Sequence, residues 1–277
     1  MRRVRISVLA VSVSVCLALA AALLGPPGAT PPASAQSDGS QGAVTMEWLG
    51  HMFFRFTSPR GVVVMTSPWL LNPDSPLTLD EVDRADVLLV PNGHPDDQGN
   101  ALEIGIKTGA RVLAPGALAR WMVDNGLSAA QATSTQPGNL HNIEGIQVRV
   151  VHNLHDNNNN RAEGQPYGGP AHGYIITFEN GFTVYFAASS AITMDMQLYG
   201  SLYKPHLALL HLGADRDPMD FAYMTRLLLT DNPNLQAVVP THMRAGAPQI
   251  QRAAQALQSL DLPVRILTPA VLEPLRF

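Results

Sequence analysis

One short segment, residues 92–97, combines an imidazole with two carboxylates in the order Asn-Gly-His-Pro-Asp-Asp. It directly follows residues 86–91, an apolar run whose pattern predicts a buried strand. Alternate residues of a tight loop can point at one ion, and imidazole nitrogen with carboxylate oxygen suits zinc, iron or manganese. The segment therefore predicts a metal site at the end of a strand.

The elements that must position this segment alternate between strands and helices. In the first half, strands are predicted at residues 44–49, 53–57, 61–65, 87–91 and 111–114, and helices at 101–108 and 115–125. In the second half, strands are predicted at 146–151, 174–178, 182–186, 207–210, 237–240 and 264–267, and helices at 194–203, 218–230 and 248–259. Strand-rich stretches and β-α units in both halves predict an α/β fold, with two sheets packed face to face and helices outside.

The N-terminus has the three-part pattern of a secretory signal. Basic residues 1–5 precede an apolar run without charges at 6–24, and Ala-Ser-Ala at 33–35 offers a cleavage site. We expect a signal peptide over 1–35, a disordered tether over 36–42 and one domain over 43–277. Cleavage would make the protein secreted or periplasmic. An uncleaved membrane anchor is the alternative, because the apolar run is long enough to span a bilayer.

Composition narrows the classes of function. Cys16, the only cysteine, lies in the expected signal, so the mature domain would have neither a disulfide nor a catalytic thiolate. The formal net charge is −4 and there is no basic stripe, which argues against nucleic-acid binding. We expect a small-molecule substrate or ligand and no membrane contact beyond export. The sequence leaves the oligomeric state open.

Several segments, taken together and in order, resemble the metallo-β-lactamase superfamily. They are residues 48–54 (Trp-Leu-Gly-His-Met-Phe-Phe), 67–70 (Ser-Pro-Trp-Leu), 86–97, 104–115, 199–210 and 238–242. The similarity is to a branch of small metal-dependent hydrolases related to ascorbate-6-phosphate lactonase. This resemblance implies a four-layer αββα sandwich and metal-dependent hydrolysis.

The resemblance also implies ligand positions for two metals. They fall on Asn92, His94, Asp96, Asp97, His155, Ser189 and His242. Four of them keep the family's residue type: His94, Asp96, His155 and His242. Asn92 and Asp97 replace histidines, and Ser189 replaces the bridging aspartate. An amide is a poor ligand beside imidazole, and the lost carboxylate no longer offsets the charge of two cations, so these changes argue against a dinuclear site.

One divalent ion remains compatible with the retained residues, with zinc expected first, manganese or iron as alternatives, and no metal as a further possibility. The expected metal ligands are His94, Asp96, His155 and His242. Asp96 and Asp97 are the candidate catalytic carboxylates, and Asn92, His51 and Ser189 are expected to line the pocket.

Two functions are compatible with these retained and replaced residues. The first is hydrolysis of an ester, lactone or phosphoester by a metal-activated water. The second is a catalytically inactive ligand-binding or structural protein.

Each of these residues also has a structural interpretation. Asp97 would suit the start of a helix, His155 could be solvated in a polar loop, and Ser189 could simply fill space. The Asn- and Gly-rich loop at residues 156–170 is long enough to act as a lid, and is equally compatible with plain surface. Sequence alone does not choose between these interpretations.

Overall fold

Residues 42–277 are described by the structure, which is a computed structural model. The expected signal peptide, and the expected tether up to residue 41, lie outside the described residues. Within 42–277, no helix has both the length and the apolar character needed to cross a membrane.

The first half of the domain forms six strands and three helices. The strands are β1 (Thr45–Trp48), β2 (Phe54–Thr57), β3 (Val63–Thr66), β4 (Val87–Leu89), β5 (Arg111–Pro115) and β6 (Ala132–Thr135). The helices are α1 (Pro95–Gln98), α2 (Ala101–Thr108) and α3 (Gly116–Asp124).

The second half adds eight strands and three helices. The strands are β7 (Leu140–Ile143), β8 (Ile146–His152), β9 (His172–Thr177), β10 (Thr183–Phe186), β11 (Leu207–His211), β12 (Ala237–Thr241), β13 (Arg265–Ile266) and β14 (Leu275–Arg276). The helices are α4 (Asp195–Tyr203), α5 (Pro218–Leu228) and α6 (Gln249–Ser259).

These strands form two seven-stranded mixed sheets. The first has the order β14-β1-β2-β3-β4-β5-β6, and the second has the order β13-β12-β11-β10-β9-β8-β7. In each sheet one half is antiparallel and the other is parallel. The parallel strands β4, β11 and β12 are followed by the loops that carry candidate site residues.

The apolar side chains fall into three layers, because the parallel strands are buried on both faces. In β4, Val87 and Leu89 belong to the central cluster, while Leu88 packs in the outer cluster that includes residues of α2 and α3. In β11, Leu207 and Leu209 belong to the same central cluster, while Ala208 and Leu210 belong to a second outer cluster that includes residues of α4–α6. The predicted α/β architecture of two facing sheets with outer helices is confirmed.

Four elements were not predicted from the sequence. Strands β6 and β7 contain mainly polar or exposed residues, so they lack the alternation that marks a half-buried strand. The C-terminal strand β14 is only two residues long and pairs with β1, far away in sequence. Helix α1 has a single turn, too short to show helical periodicity, yet it carries two of the candidate site residues.

Candidate metal centre

The candidate residues gather where strands end. Asn92 follows β4, Ser189 follows β10, His211 is the last residue of β11 and His242 follows β12. Because β10, β11 and β12 run parallel, their carboxyl ends share one edge of the second sheet, which is where α/β proteins build their sites.

Helix α1 places two neighbouring carboxylates in different environments. Its N-cap residue is His94 in an extended conformation, and Pro95 occupies the first helical turn. Asp97 is buried, with 1% of its surface exposed, whereas the Asp96 side chain keeps 21% exposed. The single turn therefore separates an accessible carboxylate from a buried one.

Asp96 pairs directly with His242. The Asp96 Oδ2 atom lies 2.8 Å from His242 Nε2. Burial alone would raise the pKa of Asp96, but the hydrogen bond and charge of His242 lower it to about 2. Burial would likewise lower the pKa of His242, and the hydrogen bond and charge of Asp96 raise it above its ordinary value. Without a cation, the two side chains form a partly buried ion pair.

His51 completes a compact group with this pair. Its Nδ1 atom is 4.0 Å from Asp96 Oδ2, and its ring centroid is 4.2 Å from that of His242. One ligand atom from each of the three residues lies within 4.8 Å of the others, the spacing expected of a metal site. Burial and the charge of His242 lower the pKa of His51 to about 4, so this imidazole is neutral at pH 7.

Asp97 is the centre of a buried hydrogen-bond network. Its Oδ2 atom accepts hydrogen bonds from Asn92 Nδ2 at 2.8 Å and from Ser189 Oγ at 2.7 Å. Its Oδ1 atom has no hydrogen-bond partner within the described part of the chain. Burial and the nearby charge of Asp96 raise the pKa of Asp97 to about 6, in spite of the two hydrogen bonds.

A second group contains two more of the expected ligands. The rings of His94 and His155 lie 5.0 Å apart, and each has a nitrogen within 4.0 Å of Asp156 Oδ1. Ligand atoms of these three residues also lie within 4.8 Å of one another. The Asp156 side chain is 71% exposed, so this group is more open to solvent than the group around Asp96.

The loop between β8 and β9 is fastened to the segment that carries the site. Asn157 Oδ1 accepts a hydrogen bond from the Gly93 amide at 2.7 Å, and Asn157 Nδ2 donates to Gly169 O at 2.9 Å. A Cβ atom at Gly93 would lie 2.7 Å from Asn158 O and from Asn159 Cα, so the close approach requires glycine. The asparagine run therefore anchors the loop against the site.

Two of the imidazoles stand on unusual backbone. His51 has φ 56° and His242 has φ 64°, both in the left-handed region that side chains with a Cβ rarely adopt. Ala188, next to Ser189, has φ 51°. Such conformations cost free energy and cluster at functional sites, because the surrounding structure must hold them there.

Comparison with known proteins decides the family. Residues 45–242 match the family described as "Beta-lactamase superfamily domain". The chain belongs to the β-lactamase superfamily. This confirms the family predicted from the sequence, while the proposed lactonase-related branch within it stays a prediction.

Curated relatives in this family carry a common name. A protein of Rubrobacter xylanophilus is 32% identical over 82% of this chain and 95% of its own length, and is named a metal-dependent hydrolase. A protein of Koribacter versatilis with the same name is 31% identical over 70% of this chain and 82% of its own. Among solved structures, a novel metallo hydrolase from Ignicoccus hospitalis has a TM-score of 0.71 at 24% identity, covering 85% of this chain and 98% of that one. That likeness shows the shared fold.

The superfamily's two-metal centre does not fit this chain. Both polar groups of Asn92 are engaged, since its Oδ1 accepts a hydrogen bond from the His94 amide and its Nδ2 donates to Asp97. The Ser189 hydroxyl, which replaces the bridging carboxylate, donates to the same Asp97 oxygen. These two donors are directed at a protein oxygen, so Asn92 and Ser189 do not supply ligands for a pair of ions.

A single ion fits better. The group of His51, Asp96 and His242 offers two nitrogens and a carboxylate, the donor set that zinc, iron or manganese accepts. The His51 Nδ1 atom is buried and unpaired among residues 42–277, so a ligand there would satisfy it.

The four ligands expected from the sequence thus fall into two groups. Asp96 and His242 are in direct contact, and His94 and His155 adjoin each other with Asp156. Asn92, Asp97 and Ser189 lie together behind Asp96 in the buried network. His51, expected only to line the pocket, has its ring directly against His242.

Sequence reasoning gave little weight to His211. This residue ends an apolar strand and is 4% exposed, with its ring centroid 4.3 Å from that of His242. The available signal was its position, because a histidine that closes a fully buried parallel strand lies at the edge where sites form.

A cavity of about 490 Å³ borders the same chain segment on another side. Its lining includes Met243 and Arg244, which directly follow His242, together with Trp48 and Ile250. The volume is in the range of small-molecule pockets. The lining does not include His51, Asp96 or His242, so this cavity lies beside the candidate metal site and is separate from it.

Proposed function

We propose that this protein is a metal-dependent hydrolase that uses one divalent ion, held by Asp96 and His242, to cleave an ester, lactone or phosphoester of a small molecule. The observation that carries the proposal is the 2.8 Å contact between these two side chains at the strand ends. Both keep the residue type that the superfamily resemblance implies for ligands. The names of the relatives support the class of reaction.

An ion bound there would lower the pKa of a bound water and polarise the substrate's carbonyl or phosphoryl oxygen. The protein residues have separate tasks. Asp96 binds through the carboxylate that the present ion pair already keeps deprotonated. Asp97 lies behind it with an unpaired Oδ1 in the described part of the chain, and is the candidate to accept a proton from water. Asn92 and Ser189 fix the orientation of Asp97 through its other oxygen.

The direct test is an activity screen of the full chain supplied with zinc, manganese or iron(II). The panel contains aryl esters, lactones and phosphoesters. We expect turnover of at least one class, with a loss of at least about 100-fold in Asp96→Asn and in His242→Gln. His152→Gln is the matched control, because this histidine lies on the surface and pairs with Asp195. Full activity in Asp96→Asn and His242→Gln would contradict the proposal.

One observation favours a second function, a catalytically inactive ligand-binding protein. The buried network of Asn92, Asp97 and Ser189 occupies ligand positions with hydrogen bonds among protein groups. A domain that had abandoned metal chemistry would show such a replacement. In that case the folded protein would bind no divalent ion and would hydrolyse none of the panel.

A further inference from the structure

The cavity of about 490 Å³ beside the candidate metal site lies where residues of two core clusters meet. Its walls include Trp48 and Val239 of the central cluster, and Met243, Ala247 and Ile250 of the outer cluster that includes residues of α4–α6. Trp48, Val239 and Met243 are 6%, 2% and 7% exposed, so closely packed residues form this part of the wall. The volume is far larger than the space that holds a single buried water, and it is typical of a ligand pocket.

The polar side chains of the lining belong to exposed residues, so they mark the opening of the cavity. They are Arg244, Gln251, Thr268 and Glu273. Within the described residues, the lining thus carries two charges, those of Arg244 and Glu273. The carboxylate of Glu273 is already engaged, because its Oε2 atom accepts a hydrogen bond from the Ala270 amide at 2.9 Å. The charged group that remains at the opening is the Arg244 guanidinium.

The guanidinium of Arg244 makes one weak ion pair in the described part of the chain, with Asp74. The Arg244 side chain is 70% exposed, and its Nη2 atom lies 3.7 Å from Asp74 Oδ1, which is longer than a hydrogen bond. The other oxygen of Asp74 accepts a hydrogen bond from the Ala245 amide at 3.1 Å, which anchors the backbone beside Arg244. A guanidinium on an anchored backbone, with donors to spare, suits a carboxylate.

We propose that this cavity binds a small amphipathic carboxylate, with its apolar body against the wall that includes Trp48 and Met243 and its carboxylate paired with Arg244. The apolar wall selects the body of the ligand, and the guanidinium at the opening selects the sign of its charge. The described lining excludes the residues of the candidate metal group, so this second site goes beyond the proposed function and does not depend on it. Met243 directly follows His242, so a bound ligand would contact the residue next to a proposed metal ligand.

The test is isothermal titration calorimetry of the full chain after dialysis against a chelator. Three probes share one apolar body and differ in charge: phenylbutanoate, phenylbutanol and phenylbutylamine. We expect one phenylbutanoate per chain, bound about 3- to 5-fold more tightly than the alcohol or the amine, which is the preference that an exposed ion pair supplies. Added salt should reduce this preference. Equal affinities for the three probes, or tighter binding of the amine, would overturn the inference.

Two variants locate the bound probe. Arg244→Gln should bind phenylbutanoate about as weakly as the unmodified chain binds phenylbutanol, and should bind the alcohol with unchanged affinity. Ala247→Trp places a large side chain in the cavity and should weaken binding of both probes by more than about 10-fold, because little apolar surface remains to be covered. The matched control is Arg252→Gln, since Arg252 is an exposed arginine of α6 outside the lining, and it should bind both probes like the unmodified chain.

The results also distinguish this cavity from the metal centre. Phenylbutanoate binding that is lost in Asp96→Asn and retained in Arg244→Gln would place the probe at the metal centre and overturn the inference. Binding that neither Arg244→Gln nor Ala247→Trp weakens, or no binding at all, would also overturn it. If Ala247→Trp does not fold, Arg244→Gln at its exposed position decides the question. Because the chain is stripped of metal and no hydrolysis is measured, a negative result leaves the proposed function standing.

Discussion

At the scale of single residues, the decisive feature is the contrast between two adjacent carboxylates. Asp96 is partly exposed and paired with an imidazole, which lowers its pKa to about 2. Asp97 is enclosed by an amide and a hydroxyl, and burial raises its pKa to about 6. Both carboxylates are mainly deprotonated at neutral pH, but as the pH falls Asp97 takes up a proton well before Asp96, because their surroundings differ.

The Ser189 hydroxyl should contribute measurably to stability. Ser189→Ala removes a buried donor from the Asp97 carboxylate, whose Oδ2 would keep only the amide of Asn92. We expect a loss of about 1–3 kcal/mol in the free energy of unfolding, measured by urea denaturation. Ser128→Ala, at an exposed position, should change it by less than about 0.5 kcal/mol. Equal effects of the two substitutions would contradict the role assigned to Ser189.

The candidate ligands could be found from the sequence only in part. Residue type, position after a strand and the superfamily resemblance identified Asp96 and His242, which the structure places in contact. The grouping of His51 and His211 around His242 depends on the β1–β2 turn, the end of β11 and the residue after β12 meeting in space. No spacing along the chain encodes that contact, so it required the folded structure.

At the scale of elements, the β8–β9 loop differs from one expectation drawn from the sequence. Its length is compatible with a lid, but in the structure the Asn157 side chain anchors it. Asn157→Ala would remove the hydrogen bonds of this side chain to the Gly93 amide and the Gly169 carbonyl. We expect a loss of about 1–3 kcal/mol in stability and faster hydrogen exchange or proteolysis across residues 153–170.

Asn160→Ala is the matched control for that substitution, because Asn160 is exposed and the contact it makes with Gly93 uses its backbone amide. Its exchange and proteolysis rates should stay close to those of the unmodified protein. If loop exchange in Asn157→Ala is no faster than in Asn160→Ala, the asparagine side chain does not anchor the loop.

A second element-scale contact joins the two sheets through His172 of β9. Its Nδ1 atom is 3.1 Å from Thr135 Oγ1 of β6, and burial lowers the pKa of His172 to about 4. Between pH 4 and the ordinary value of 6.5, the unfolded chain binds a proton that the folded chain excludes. The stability contributed by the neutral ring is therefore complete above pH 6.5 and is lost as the pH falls towards 4.

Substitution by glutamine tests this linkage. His172→Gln removes the titrating group, so its unfolding free energy should depend less steeply on pH between 4 and 6.5 than that of the unmodified protein. Urea denaturation at a series of pH values measures both curves. If the unfolding free energies of the two proteins change in parallel over this interval, the fold does not lower the pKa of His172.

At the scale of the whole molecule, most of the architecture could be predicted because its central strands are buried on both faces. Runs such as residues 207–210 and 237–240 are apolar throughout, and the hairpin at residues 179–181 has a clear turn sequence. Strands β6, β7 and β14 were missed for physical reasons, since polar edge strands and two-residue strands are defined by their partners. The C-terminal strand returns to pair with β1, a contact that local sequence does not indicate.

The account as a whole depends on one bound ion at the strand ends. The most direct measurement is the metal content of the full chain by elemental mass spectrometry after dialysis against zinc, manganese and iron(II). We predict one tightly held ion per chain, lost in Asp96→Asn and His242→Gln and retained in His152→Gln. A well-folded chain that retains no ion, or one that retains two, would contradict it.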